Sequence, residues 1–118
     1  MRKGNTMIRI LLGLLALTFA VPAQAMTDAS ATVETTAAVE LAAGSGSQPR
    51  RNIHIINRST NNIWCSWTGT ATVAGAGTFP LLGQGASIVY GPPGLVPNEA
   101  LSCISSGASS GLTILTVP

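Results

Sequence analysis

Ionisable side chains are scarce in this sequence: charged residues make up 8% of its 118 positions, and it contains one histidine. Acid–base catalysis needs groups that titrate near the working pH, and glycoside hydrolysis normally needs two carboxylates. After residue 49 the supply is His54, Tyr90, Glu99 and three arginines. His54 alternates with isoleucines, which predicts a place on the outer face of a strand. We therefore expect no enzyme, no catalytic residue and no cofactor.

A metal site is also not expected. The only cysteines, Cys65 and Cys103, lie far apart in the sequence, and neither has a second cysteine or a histidine at a ligand spacing. Zinc sites are built from closely spaced cysteine and histidine pairs. One histidine and two isolated cysteines do not form such a pattern.

The first 25 residues have the layout of a secretory signal peptide. A basic start is followed by an apolar run from Ile10 to Val21, and then by Ala23 and Ala25. The run is shorter than the about 20 apolar residues that span a membrane. The sequence therefore predicts cleavage after Ala25, a secreted or periplasmic product, and no membrane span after cleavage.

The basic excess of the chain belongs largely to this leader. The formal net charge is +2 for the full chain, but the mature part has three arginines against four acidic residues. One net negative charge gives no electrostatic basis for binding nucleic acid. The adjacent Arg50 and Arg51 could contact a phosphate or mark a protease site. The interpretation favoured here is a solvated pair at a domain edge.

Residues 26–49 are rich in Ala, Thr, Ser and Gly and contain no aromatic residue. Such a composition buries too little apolar surface to offset the entropy of the chain. We expect a flexible linker over 26–49. A weak helix over Ala29–Ala43 is the alternative, but Gly44–Ser47 favours a tether.

Residues 50–118 form the predicted folded unit, which is all-β. Short runs rich in Ile, Val, Leu, Trp and Thr alternate with clusters of Gly, Pro, Ser and Asn, a pattern typical of strands and turns. We predict a small antiparallel sandwich or jelly-roll-like domain of about six short strands. The predicted strands are Asn52–Asn57, Ile63–Trp67, Thr70–Val73, Ala86–Tyr90, Ala100–Ile104 and Leu112–Val117.

Alternation along two of these strands lets Cys65 and Cys103 both face the core. They are the only two cysteines, and disulfides persist in the compartment that a signal peptide reaches. A bridge would stabilise the fold by about 3–5 kcal/mol in the chain-entropy model. Two buried thiols that never meet are the alternative. The sequence favours the disulfide.

Trp64 and Trp67 are the candidate surface-binding residues. They fall on opposite faces of one predicted strand, so at least one can be exposed and stack on a sugar ring or a partner side chain. The alternative is that one fills the core and the other covers a loop. The predicted partner is accordingly an unknown protein or a surface glycan.

Two short motifs suggest chemistry that their surroundings do not support. Gly107–Gly111 fits the G-x-S-x-G string of a hydrolase nucleophile, but no acid or histidine follows it. A Gly/Ser turn explains it. Asn57–Ser59 fits the N-glycosylation sequon, which is incidental behind a bacterial-type signal.

The folded unit also resembles small β domains of bacteriophage and prophage virion-associated proteins. The resemblance is carried by five short segments, which are Asn57–Ser59, Gly69–Val73, Phe79–Leu81, Val96–Ile104 and Leu112–Val117. It implies a structural or adhesive role without catalytic residues. Together, these observations predict an exported, non-enzymatic β domain with a structural or partner-binding role. A secreted inhibitor or effector of an extracellular enzyme is the alternative, and the oligomeric state stays open.

Overall fold

The computed structural model describes residues 26–47 and 49–118. The predicted signal peptide and its cleavage site at Ala25 lie outside these residues. No helix in the described part of the chain is long and apolar enough to cross a membrane. Within residues 26–47 and 49–118, nine strands follow one another: β1 (Thr27–Asp28), β2 (Ala31–Val33), β3 (Ala38–Leu41), β4 (Asn52–Asn57), β5 (Ile63–Ser66), β6 (Phe79–Leu81), β7 (Ser87–Tyr90), β8 (Leu101–Ser105) and β9 (Ser110–Val117).

The strands form two antiparallel sheets. In the first sheet the order is β1-β9-β4-β7. Strand β2 also pairs with β9, at its residues 110–112, whereas β1 pairs with residues 115 and 116 of the same strand. In the second sheet the order is β3-β8-β5-β6. This confirms the predicted all-β antiparallel architecture, with more strands than the sequence indicated.

The core lies between the two sheets and is made of aliphatic side chains at alternate strand positions. On β4, Ile53 and Ile55 are fully buried, whereas His54 is half-buried on the opposite face, as predicted. The buried apolar cluster contains Val33, Ile53, Ile55, Ile63, Cys65, Leu81, Leu101, Cys103, Leu112 and Ile114.

The two cysteines form a disulfide inside the second sheet. Cys65 on β5 lies directly opposite Cys103 on β8, with their Cα atoms 4.1 Å apart, and both are fully buried. This confirms the predicted bridge over the alternative of two free thiols. A disulfide is consistent with an oxidising location.

The N-terminal segment, residues 27–41, is folded rather than a free linker. Its strands β1 and β2 pair with β9 in the first sheet, and β3 pairs with β8 in the second. Val33 is fully buried in the core. The structure therefore corrects the prediction of a flexible linker over 26–49, and it also replaces the alternative helix. Backbone pairing to strands formed elsewhere supplies the stability that the composition lacks.

The predicted strand over Thr70–Val73 is absent. This stretch is irregular, the backbone N–H of Ala71 donates to the Ser102 hydroxyl at 3.0 Å, and Ala74 turns the chain with a φ of 51°. The strand that pairs beside β5 is instead β6. The sequence analysis did not predict β6. It contains Pro80 and lies at an edge of its sheet, where a missing N–H is tolerated.

Candidate functional site

The two tryptophans lie on different surfaces. On β5, Cys65 is buried, so alternation directs Trp64 to the outer face of the second sheet. There its register partners are Pro80 and Ile104. Trp67 comes directly after β5 and packs partly against the core. Both side chains are half-buried, so each presents some surface to solvent.

Trp67 is held by two neighbours that are remote in sequence. Its indole Nε1 donates a hydrogen bond to the Tyr90 hydroxyl at 3.0 Å, and the two rings meet edge to face with centroids 5.7 Å apart. The Arg50 Cζ atom lies 6.0 Å from the centroid of the Trp67 ring. Such contacts are favourable for aromatic rings. The orientation of Trp67 is therefore fixed before any partner binds.

Arg50 ties the chain before β4 to the loop before β8. Its Nη1 donates to the backbone oxygens of Pro97 at 3.2 Å and Glu99 at 2.9 Å, and its Nη2 donates to the backbone oxygen of Ala42. Burial lowers the pKa of Arg50, and the nearby Glu99 carboxylate opposes this to a smaller extent. Of the predicted solvated pair, only Arg51 is exposed, while Arg50 is part of the site.

Two open depressions meet at Trp67. The first, of about 470 Å³, lies over the end of the second sheet. Its lining residues are Ala37, Ala38, Val39, Trp67, Gly69, Thr70, Ala100 and Ser102. The second, of about 710 Å³, lies against the loop before β8. Its lining residues are Trp67, Thr68, Leu95, Val96, Pro97, Asn98 and Glu99.

Each depression carries one large aliphatic side chain that is exposed. Val39, on β3, is 63% exposed in the first depression, and Leu95 is 95% exposed in the second. Leu95 is the most exposed of the large apolar side chains in the described residues. With Trp67 between them, they form the Trp67 groove, defined by Val39, Trp67 and Leu95.

Titratable groups do not converge in the Trp67 groove. Glu99 is the one ionisable side chain among the lining residues, and its Oε2 accepts a hydrogen bond from the backbone N–H of Asn98 at 3.0 Å. His54 lies elsewhere, on the first sheet, with register partners Val89 and Leu115. Across residues 26–47 and 49–118, no group of three or more His, Cys, Asp or Glu could hold a metal ion. What the groove offers chemically is apolar burial and hydrogen bonding.

The G-x-S-x-G motif forms a turn that leads into β9. Ser109 has a φ of 54°, and its backbone N–H donates to the Glu34 Oε2 atom at 2.9 Å. Ser110 is fully buried, and its hydroxyl lies 2.7 Å from that of Ser105. These contacts give the motif a structural role in the turn, as the sequence indicated.

The sequon asparagine is also structural. Asn57 is fully buried, and its amide Nδ2 donates to the backbone oxygens of Asn61 and Leu81, each at 2.8 Å. Its Oδ1 accepts hydrogen bonds from the backbone N–H and the hydroxyl of Ser59. The nitrogen that would carry a glycan is thus used inside the fold.

Sequence reasoning selected Trp67 but missed the residues around it. Arg50, Tyr90, Val39 and Leu95 come from four separate stretches, and local spacing carries no information about which stretches meet. One signal was available for Leu95, since an aliphatic side chain directly after the turn residues Gly91–Gly94 has no strand in which to be buried. The exposure of Val39 depended on the pairing of β3, which the composition did not indicate.

No family model matches the chain, and no similar curated protein or solved structure was found. The resemblance to domains of phage virion-associated proteins therefore stays a prediction. The function has to be argued from the Trp67 groove and its surroundings.

Proposed function

We propose that this protein is an exported, non-enzymatic binding domain that recognises a partner protein through the Trp67 groove. The observation that carries the proposal is a pre-oriented Trp67 flanked by exposed Val39 and Leu95. Binding energy at protein interfaces is concentrated in a few aromatic and apolar anchors that sit in such depressions. Burying one exposed leucine is worth about 1.5–3 kcal/mol.

The supports around the groove lower the entropic cost of binding. Tyr90 and Arg50 hold Trp67, and Arg50 also holds the backbone at Pro97 and Glu99, on the C-terminal side of Leu95. Side chains and loops that are ordered before binding lose less freedom on association. Trp67 and the backbone after Leu95 are thus already ordered, so little conformational entropy is lost when a partner binds the groove.

A protein partner fits this groove better than a glycan. Sugar recognition uses an open aromatic face with polar side chains around it. Here Arg50 lies near the Trp67 ring, and Asn98 uses its amide to contact the backbone of Ser45 and of Arg50. The exposed side chains at the two ends of the groove are aliphatic.

A site-specific photo-crosslinker tests the proposal. We would replace Leu95 with p-benzoylphenylalanine in the full chain, irradiate it in the extracellular and periplasmic fractions of the producing cell, and identify the adduct by mass spectrometry. The matched control is Leu82, which is 58% exposed and lines neither depression. We expect a discrete protein adduct from position 95 and none from position 82.

Trp67→Ala in the position-95 background gives the second arm of this experiment. The adduct should fall at least about tenfold if Trp67 is an anchor worth more than 1.4 kcal/mol. Circular dichroism and the intact disulfide report whether the variant remains folded. Equal adducts at both positions, or no effect of Trp67→Ala in a folded variant, would contradict the proposal. A carbohydrate adduct would assign a surface glycan as the partner instead.

An inhibitor of an extracellular enzyme is the second candidate, favoured by the loop that displays Leu95. The side chain is almost wholly exposed, the backbone N–H of Gly94 donates to the oxygen of Gly91 at 2.9 Å, and Arg50 holds the carbonyls of Pro97 and Glu99. A held loop with a projecting leucine suits an apolar pocket of an enzyme. The adduct from position 95 decides between the two: an enzyme whose activity falls on binding, and recovers with Leu95→Ala, assigns the inhibitor role.

A further inference from the structure

One edge of the first sheet is open within the part of the chain that the structure describes. Strand β7 ends the strand order of this sheet, and its strand partner is β4. Ile88 and Tyr90 pack against the core. Ser87 and Val89 alternate with them and are exposed, Val89 by 65%. The free side of β7 is therefore accessible to another chain.

The register of β7 determines which of its backbone groups face this free side. In antiparallel strands, residues that exchange hydrogen bonds alternate with residues whose N–H and C=O point the other way. The N–H of Asn57 donates to the oxygen of Ala86 at 2.9 Å, so the next bonded position on β7 is Ile88. The N–H and C=O groups of Ser87 and Val89 therefore point away from β4. No strand among the described residues lies on that side.

The other edge strands of the two sheets are short or interrupted. Strands β1 and β2 have two and three residues, and the register of β3 is irregular between Val39 and Leu41. Strand β6 contains Pro80, which has no N–H to donate. Short strands, bulges and proline are the features by which proteins keep sheet edges from pairing. Strand β7 has four residues, no proline, no charged residue and a regular register. It is the edge that remains able to accept a further strand.

Strand β7 also leads to the Trp67 groove. Its last residue, Tyr90, accepts the hydrogen bond from the indole of Trp67, and the loop that follows β7 displays Leu95. A segment that lies along β7 and continues past Tyr90 therefore runs towards this loop. The free edge and the groove are thus adjoining parts of one surface.

We infer that the protein recognised by the Trp67 groove also adds an extended strand to the free edge of β7. Backbone chemistry defines this occupant, because N–H and C=O groups repeated at every second residue are matched by another extended backbone. Val89 lies beside His54 on the outer face, so an apolar partner side chain there would bury the exposed surface of Val89. The choice of partner rests on the proposed function, whereas the open edge does not.

Hydrogen exchange in the presence of a synthetic strand tests the edge in the purified full chain. The probe is a capped peptide of alternating threonine and valine, methylated at every second backbone nitrogen so that it cannot pair with itself on both sides. The control peptide is methylated at every backbone nitrogen and cannot donate hydrogen bonds.

Without the probe, the amides of Ser87 and Val89 should exchange at least about tenfold faster than those of Ile88 and Tyr90, as resolved by NMR. Excess probe should slow the first two amides several-fold, and the control peptide should leave them unchanged. Equal protection of all four amides without the probe, or no slowing by it, would overturn the inference.

Val89→Pro in the chain that carries the crosslinker at position 95 tests the connection with the groove. Proline removes an N–H that points away from β4, so the pairing of β7 with β4 should persist. The adduct should fall at least about fivefold, because a carbonyl of the partner strand loses its donor. Val89→Thr keeps the N–H and a similar side-chain shape. It is the matched control and should leave the adduct unchanged, and circular dichroism reports whether both variants fold.

The outcomes separate this inference from the proposed function. An adduct that persists in folded Val89→Pro, or that is lost equally in Val89→Thr, would overturn the strand pairing and leave the groove as the binding site. No adduct at position 95 would contradict the proposed function and this choice of partner, while the exchange experiment still reports on the edge. A dimer in light scattering that Val89→Pro dissociates would show that a second copy occupies the edge, and would also overturn the choice of partner.

Discussion

The N-terminal segment (residues 27–41) and the rest of the fold, which we call the body (residues 52–117), supply strands to the same two sheets but are held by different interactions. The body contributes nine of the ten side chains of the buried apolar cluster, together with the Cys65–Cys103 disulfide. The N-terminal segment contributes only Val33 to that cluster. Its order comes from backbone pairing to β8 and β9. A polar, alanine- and threonine-rich stretch can thus fold when finished strand edges are available to it.

Removing the disulfide should have the largest effect on the body. We expect Cys65→Ala with Cys103→Ala to lower the free energy of unfolding by about 3–5 kcal/mol, because the unfolded chain regains the freedom that the bridge removes. Denaturation by urea, compared with the native protein, measures this. If the free energy of unfolding fell by less than about 1 kcal/mol, the disulfide would not be a main source of the body's stability, and the contrast with the N-terminal segment would fail.

Val33→Ala should detach the N-terminal segment without unfolding the body. The lost methyl groups cost about 2 kcal/mol, because they leave a void in the core where Val33 is fully buried. Val39→Ala is the matched control, since Val39 is 63% exposed and should change stability by less than about 0.5 kcal/mol. Hydrogen exchange reports the two regions separately. Faster exchange throughout the body, and not mainly in β1–β3, would contradict a separable segment.

The body was predicted from the sequence more accurately than the N-terminal segment was. In the body, β4 was predicted with its observed bounds, and the faces of Cys65 and Cys103 were deduced from alternation, because a strand with one buried face carries its own pattern. In the N-terminal segment the pattern is absent, since its strands have two to four residues and one fully buried side chain. Their partners are distant in sequence, so no local signal indicated the pairing.

The candidate site was predictable only in part, for the same reason. Trp64 and Trp67 were selected because they fall on opposite faces of one predicted strand, so that at least one of them is exposed. The setting of Trp67 depends on Arg50 and Tyr90, which reach it through the packing of three separate loops and strands. An arginine beside a second arginine is typical of a solvated edge, and nothing in the neighbouring residues distinguishes Arg50 from Arg51.

Arg50 contacts Ala42 just after the N-terminal segment, Pro97 and Glu99 in the body, and the ring of Trp67 in the groove. Its replacement therefore tests how the two regions are joined. Arg50→Lys should lower the free energy of unfolding by about 1 kcal/mol, because lysine cannot reproduce the planar donor set that reaches Ala42, Pro97 and Glu99. Arg51→Lys, at an exposed position, is the matched control and should be neutral. Urea denaturation measures the change, and tryptophan fluorescence reports whether Trp67 has moved. Equal effects of the two substitutions would remove Arg50 from the site.

The smallest expected effect concerns two acidic residues of the N-terminal segment that should respond to pH in opposite directions. Burial, and to a smaller extent Glu34, raises the pKa of Glu40 above its ordinary 4.5, so ionised Glu40 weakens the fold as pH rises through that range. Glu40→Gln should therefore stabilise the protein at pH 7, and the gain should fade towards pH 4. Because the side chain is half-buried and solvent still screens it in part, we expect a gain of less than about 0.5 kcal/mol.

Asp28 provides the opposite case. Hydrogen bonds from Ser30 lower its pKa below 3.8, so ionised Asp28 supports the fold at neutral pH and this support is lost as pH falls through the lowered value. Asp28→Asn should thus weaken the N-terminal segment slightly at pH 7, where Glu40→Gln strengthens it. Hydrogen exchange of β1 and β3 at pH 7 and pH 4 distinguishes the two signs. Changes of the same sign would mean that the acidic residues act only through the net charge of the segment, and not through their individual surroundings.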